Sequence, residues 1–128
     1  MLLVTIRAPL RPTEDVEKIR TAILNLFPVS AITSDTDQVR ATTDSLERFK
    51  TMIRNQKILD SIRNKLLAGI SSDSTTISLN KQAAVVNRVS LSEGRTPLGH
   101  IEVTIESEDI ERLIDEIAPR TVDGVEVK

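Results

Sequence analysis

Gln56-Lys-Ile-Leu-Asp-Ser-Ile-Arg-Asn-Lys-Leu-Leu-Ala-Gly69, a short polar loop, and then Ile77-Ser-Leu-Asn-Lys-Gln82 form the stretch on which the reading of this chain turns. At about 100° per residue, Ile58, Leu59, Ile62 and Leu66 fall on one arc, so the first half is an amphipathic helix. Lys57, Asp60 and Asn64 point away from that arc, and Arg63 and Lys65 lie at its rims. Gly69 ends the helix, Ser71 to Ser74 is a turn, and Thr75 to Asn80 alternates as a strand. An apolar helix face beside a strand predicts helix packed on sheet. The outward cations make the other side a candidate binding surface.

Upstream of this stretch, Leu46, Phe49 and Ile53 lie on one side of a helix, but Ile58 to Leu66 lie about a third of a turn further round. The spacing predicts a break near Arg54 to Gln56 and two helices rather than one. Asp44 with Glu47 has the form of a capping box for the first of them. Leu2 to Ala8 alternates as a strand, Thr13 is placed to cap a helix over Glu14 to Phe27, and Gln38 to Thr42 is a second strand. Lys81 to Val85 reads either as a bulge or as one helical turn, and Arg88 to Leu91 as another strand. Ser92 to Gly99 is a loop, and Ile101, Val103 and Ile105 mark a strand. Ser107 is placed to cap a helix with Ile110, Leu113, Ile114 and Ile117 facing inward. Val122 to Val127 is a tail or edge strand around Gly124. The order predicts one α+β domain over residues 1–128: a largely antiparallel sheet with helices packed mainly on one face.

Composition narrows the classes of function. Of 128 residues, 39% are apolar but only Phe27 and Phe49 are aromatic, so the core must be built from Ile, Leu and Val. Cysteine is absent, which excludes disulfides, thiolate metal sites and cysteine nucleophiles. That fits a reducing, cytoplasmic setting. Apolar runs fall far short of the roughly 20 residues that cross a bilayer, and no signal peptide layout is present, so a soluble, unprocessed chain is expected. The net charge of −2 conceals a partition. Residues 1–39 carry 4 basic and 5 acidic groups, 40–95 carry 10 and 5, and 96–128 carry 3 and 9, a net −1, +5 and −6. A basic middle suits a polyanion, or else the acidic C-terminal section of a second copy.

Motifs of catalysis fail on mechanical grounds. Gly94-Arg-Thr-Pro-Leu-Gly99 has the outer spacing of a phosphate loop, but His100-Ile101 stands where Lys-Ser or Lys-Thr is required and a strand follows. Ser78-Leu-Asn-Lys81 matches a bare Ser-x-x-Lys pattern at a strand end, not on the helical turn that chemistry requires. Glu102 and Glu106 share a strand face at a separation of about 13 Å, too far for a glycosidase pair. His100 is the only histidine and reads as structural or solvent-facing. With Glu108, Asp109 and Glu111, the carboxylates of Glu102 and Glu106 read as a solvated acidic surface, with a weak divalent-cation site as the lesser alternative, and no cofactor is implied.

Three segments carry a family resemblance: Gln56-Lys-Ile-Leu-Asp60-Ser-Ile-Arg63, Asn80-Lys-Gln-Ala-Ala84 and Pro97-Leu-Gly-His-Ile101. Glu17-Lys-Ile19, Leu26-Phe-Pro28 and Ala118-Pro-Arg-Thr121 with Gly124 extend it over nearly the whole chain. On these residues the chain resembles an archaeal family of small proteins, similar to proteins predicted to act with the RNA-processing exosome. The resemblance implies a fold like that of a large-subunit ribosomal protein that contacts the five-S RNA. It carries over Gln56, Asp60, Arg63, Asn80, Lys81, Gln82 and Gly99 as positions of interest.

The combined expectation is a non-enzymatic RNA-binding or RNA-processing accessory protein, monomeric or homodimeric. Its implied partners are structured RNA and RNA-processing proteins, with no membrane. The residues expected to contact RNA are Lys57, Arg63, Lys65, Lys81, Gln82 and Arg88. Arg40, Arg48, Lys50, Arg54, Arg95, Asn64 and Asn80 lend support. With no Tyr or Trp and both Phe on apolar helix faces, base stacking has no platform, so backbone or duplex shape is the expected target. The alternative reading is a protein-interaction or self-associating module using complementary basic and acidic surfaces.

Overall fold

Strand β1 (Leu2–Pro9) buries Val4, Ile6 and Ala8 completely and turns Leu3, Thr5 and Arg7 the other way. This is the period-2 signature of a sheet covered on one side. The same alternation runs through β3 (Gln38–Thr43), β5 (Ser74–Leu79) and β6 (Ile101–Ser107). The computed structural model describes residues 2–29, 31–92, 99–122 and 125–126. Six strands form one antiparallel sheet in the order β2-β3-β1-β6-β5-β4, with β2 spanning Ala31–Ser34 and β4 Ile70–Ser71. At the centre, β1 runs beside β6 with Arg7 opposite Glu102 and Thr5 opposite Thr104.

The helices bury the dry face. α1 (Val16–Leu26) contributes Ile19, Ala22, Ile23 and Leu26. α2 (Glu47–Asn55) and α3 (Leu59–Ala68) carry the chain from β3, near one edge of the sheet, to β4 at the other. Phe49, Ile53, Leu59, Ile62 and Leu66 are their buried set. Phe27 and Phe49 stack on each other with centroids 5.4 Å apart. α4 (Lys81–Val85) is a single short helix, and α5 (Ile110–Ile117) presents Ile110, Ile114 and Ile117 inward. Thr75, fully buried, donates to the Leu66 carbonyl at 2.5 Å, which satisfies one of the free carbonyls at the end of α3. The α+β class and the one-sided helix layer are as the sequence predicts.

Several local expectations are corrected. Asp15, not Thr13, caps α1, accepting from the Glu17 N–H at 3.0 Å. The Asp44–Glu47 capping box does not form, because Leu46 occupies the cap position and makes no side-chain cap bond. Asp109, not Ser107, caps α5. β2 carries no strong alternation in sequence and is revealed only by its pairing with β3. Lys81 to Val85 resolves to helix, with Asn80 as its cap accepting from the Ala83 N–H at 2.9 Å. Arg88 to Leu91 is not a strand: one bridge joins Leu91 to Leu79, flanked by bonds from the Asn80 N–H to the Ser90 carbonyl and from the Ser92 N–H to the Ser78 carbonyl. At the C-terminal end, β7 (Thr121–Val122) and β8 (Val125–Glu126) make a small separate ladder. Gly94, Arg95 and Gly124 lie outside the described residues.

Gly69 joins α3 to β4 under tight clearance. A Cβ there would lie 2.4 Å from the Thr76 carbonyl oxygen, a backbone atom with little freedom to retreat. Gly69→Ala is expected to destabilise the fold by about 1–3 kcal/mol, as overpacking does, read as a lower midpoint in urea denaturation.

Candidate nucleic-acid interface

Two helix ends of the same form stand side by side in this structure. At the end of α2 the Lys57 N–H donates to the Arg54 carbonyl and the Ile58 N–H to the Ile53 carbonyl, at 3.1 Å each. Lys57 sits at φ +59°. This is a Schellman termination with lysine in the left-handed position that glycine favours. At the end of α4 the Asn87 N–H donates to the Ala84 carbonyl and the Arg88 N–H to the Ala83 carbonyl, with Asn87 at φ +64°. The predicted break between α2 and α3 is therefore real, but it is made one to two residues later than the apolar pattern indicates.

Gln56 locks the two ends together. Its amide nitrogen donates to the Val89 carbonyl at 2.7 Å and its amide oxygen accepts from the Val89 N–H at 2.8 Å. A side chain thus pairs with backbone as another strand would. The immediate neighbours, Lys57 and Arg88, are thereby brought together although 31 positions separate them. Both are exposed, and neither side chain has a hydrogen bond or ion pair among the described residues. Beyond them the chain from Val89 to Ser92 runs along the β5 edge, where Lys65 lines a cleft of about 250 Å³ with Thr76, Ser78, Leu91 and Ser92. Lys57, Arg88 and Lys65 thus lie along one margin of the molecule, with hydroxyl groups between the last cation and the sheet.

The other expected contacts do not join them. Lys81 is buried: its ammonium donates to the Pro9 carbonyl at 2.6 Å and pairs with Glu14 at 3.1 Å, with side-chain exposures of 7% and 10%. The lysine's pKa is lowered by burial, against the opposing pull of the Glu14 carboxylate. Its ammonium ties α4 to the end of β1 and to the turn that leads into α1. Arg63 faces the opposite rim of α3 from Lys65, bridging Asp115 at 2.7 Å and donating to the Ala118 carbonyl at 3.1 Å. Gln82 is exposed but lines a different recess, with Thr13, Asp15 and Lys18 of the α1 entry. Among the supporting residues, Arg48 donates to the Leu24 carbonyl, Lys50 pairs with Glu47, and Arg40 lies on the sheet face opposite the helices.

The residues carried over by resemblance prove to be mostly ties of the fold. Asp60 accepts from Thr121 Oγ1 at 2.8 Å, Asn80 caps α4, and Gln56 makes the clamp. Gly99 sits at φ +78°, where a Cβ would fall 2.5 Å from Pro9 Cγ. His100, half-buried beside it, shares a hydrogen bond between Nδ1 and Ser92 Oγ. Sequence reasoning missed Asn87 and the clamp. Asn followed by Arg just after a short helical turn was the available signal, since Asn tolerates the left-handed region. Among the described residues no group of three or more His, Asp or Glu side chains is arranged to hold a metal ion, and no helix is long and apolar enough to cross a membrane.

Two stability measurements test this account. Lys57→Gly relieves the left-handed backbone and is expected to stabilise the fold by about 0.5–1 kcal/mol after allowing for the looser unfolded chain, read by urea denaturation. Glu14→Ala leaves the Lys81 ammonium buried without its counter-charge, at an expected cost of about 3–5 kcal/mol near neutral pH. In that variant folded Lys81 gives up its proton well below the ordinary 10.5, while the unfolded chain still holds it. The unfolded state then binds more protons, so stability rises with pH. The deficit should therefore shrink between pH 7 and pH 10 in paired melts.

Comparison with known proteins fits this architecture. A family model described as RNA binding matches residues 3–107. The UPF0201 protein of Methanothermobacter thermautotrophicus is 44% identical over 119 residues, covering 91% of this chain and 90% of the relative. The UPF0201 protein of Metallosphaera sedula is 34% identical over 132 residues, covering 97% and 92%. The chain spans only 40% of a longer relative, the UPF0200/UPF0201 protein of Archaeoglobus fulgidus, at 39% identity. The crystal structure of the UPF0201 protein from Methanococcus jannaschii superposes with a TM-score of 0.92 at 39% identity, covering 98% of this chain and 99% of that one. A DUF54 protein of Methanothermobacter thermautotrophicus shares the fold, with a TM-score of 0.65 at 16% identity, covering 91% of this chain and 96% of that one. The basic margin built by the Gln56 clamp thus belongs to a member of the archaeal UPF0201 proteins, within the RNA-binding family.

Proposed function

We propose that this protein is a non-enzymatic RNA-binding accessory of RNA processing that grips the phosphate backbone or shape of structured RNA along the margin of Lys57, Arg88 and Lys65. The observation that carries the reading is the Gln56–Val89 clamp, which sets two exposed cations from distant parts of the chain next to each other. Helix C-termini favour cations only weakly, by about 0.3–1 kcal/mol, so these side chains stay available to a polyanion. The description of the family as RNA binding supports the same ligand.

The mode of contact follows from what the surface offers. The sequence has no Tyr or Trp, and its two Phe rings are buried against each other. Bases therefore have no aromatic platform to stack on. Thr76, Ser78 and Ser92, around the cleft of Lys65, supply hydroxyls suited to phosphate oxygens and 2′-hydroxyls, the groups through which duplex RNA is read by shape. Arg63 and Lys81, held in ion pairs, serve the scaffold in this reading, and Gln82 lies apart from the margin.

Titration with a structured RNA at several salt concentrations tests the proposal. Contacts to about 4 phosphates should give log affinity against log salt a slope near −3 to −4. Lys57→Ala, Arg88→Ala and Lys65→Ala should each weaken binding and lower the slope by about 1. Arg112→Ala, on the exposed side of α5, should leave it unchanged. Salt-insensitive binding, or an equal loss from Arg112→Ala, overturns the assignment.

A further inference from the structure

The face of the sheet away from the helices bears an ordered pattern of its own. Its middle row runs Thr33, Arg40, Arg7, Glu102 and Ser78 across β2, β3, β1, β6 and β5. The next row runs Ala31, Thr42, Thr5, Thr104 and Thr76, with Thr76 and Thr104 joined through their hydroxyls at 3.1 Å. The midline of the sheet falls between β1 and β6. Arginines stand on one side of it and glutamates on the other, since Glu106 also lies on β6. Threonines stand on both sides.

A polar sheet face can simply face water. What selects a partner here is the symmetry of the charges. Rotation by a half-turn about an axis parallel to the strands, lying above the midline, exchanges β1 with β6. Arg7 of one copy then faces Glu102 of the other, and Glu102 faces Arg7. Thr5 faces Thr104 and Thr42 faces Thr76 on both sides. A half-turn about an axis across the strands would instead set β1 on β1 and oppose like charges. The face is self-complementary under one symmetry operation, as an isologous interface requires.

The groups have capacity left for such a contact. Arg7 Nη2 meets Glu102 Oε1 at 2.6 Å within one chain, yet the two side chains remain 50% and 42% exposed. A guanidinium has five donors and a carboxylate about four acceptor sites, so each can take a second partner. Six strands at about 4.8 Å spacing and an 8-residue β1 outline a face on the order of 600 Å². Standard interfaces cover about 800 Å² per partner, so the whole face would be used and the contact would be a small one. We infer that the helix-free face is the homodimer interface of this protein, two copies packing sheet to sheet with Arg7 and Glu102 forming a four-membered ring of alternating charge. The RNA reading rests on the cations Lys57, Arg88 and Lys65 at the margin; Thr76 and Ser78 on β5 border both surfaces, and in the dimer their hydroxyls lie in the contact.

Sedimentation velocity on the full chain, from about 1 to 100 μM, tests it directly. The wild type is expected to dimerise in that range. Arg7→Glu and Glu102→Arg should each weaken self-association by roughly a hundredfold, because all four central charges become alike. Mixing the two variants should restore a dimer, since an all-acidic centre then meets an all-basic one. The doubly swapped Arg7→Glu/Glu102→Arg chain should dimerise as the wild type does. Circular dichroism of each variant guards against loss of fold, and the mixing arm reports pairing between chains, which a purely internal ion pair would not produce. A wild type monomeric throughout, single variants that dimerise normally, or a mixture that stays monomeric while both variants are folded would overturn the inference.

Discussion

The register of β1 against β6 is the constraint on which the rest of this structure depends. Val4, Ile6, Ile101, Val103 and Ile105 are dry, so all must point to the helices at once. A slip of one residue would drive Arg7 or Glu102 into an apolar layer and expose two branched side chains of β1 or three of β6. The cost of burying an unpaired charge makes that alternative inaccessible. Once this pair is set, Arg7 and Glu102 are forced together on the open face, and the threonine row beside them is a consequence of the same alternation.

The helix layer meets a second demand. With two aromatic residues, volume must come from many branched aliphatic side chains, and the α2–α3 pair must cross the sheet to reach β4. Crossing without a break would rotate either Phe49 and Ile53 or Ile62 and Leu66 off the core. The turn at Lys57 resolves that conflict and leaves backbone groups to be satisfied. Gln56 uses its amide to hold the turn against Val89, so a feature required by packing also decides which cations share a margin. A lysine in a position that suits glycine costs the fold some stability.

Local signals carried the fold a long way. The alternation in β1, β3, β5 and β6 and the apolar arcs of α1, α3 and α5 are strong, because in each the buried face is continuous. Weak elements were missed or misplaced for a common reason. β2 is a four-residue edge strand with little buried surface, and residues 88–91 follow β5 by backbone bonds that no side-chain pattern encodes. The caps shifted to Asp15 and Asp109 because several acceptors compete near each helix start, and backbone geometry decides among them.

For the candidate site, sequence alone determined the ingredients: an α+β class, a basic middle section and a chain without Tyr or Trp. Charge and periodicity are properties of order along the chain, and order along the chain is what a sequence displays. Only the tertiary structure decided which cations are tied down by Glu14 and Asp115. Lys57, Arg63, Lys65, Lys81 and Arg88 read alike as polar residues at the edges of apolar patterns. Folding brought Glu14 to Lys81 and Asp115 to Arg63 across 67 and 52 positions of chain, and Val89 to Gln56 across 33. Whether a charge is spent inside the molecule or left for a partner depends on such long-range neighbours, and the distance along the chain at which they stand carries no trace of their meeting.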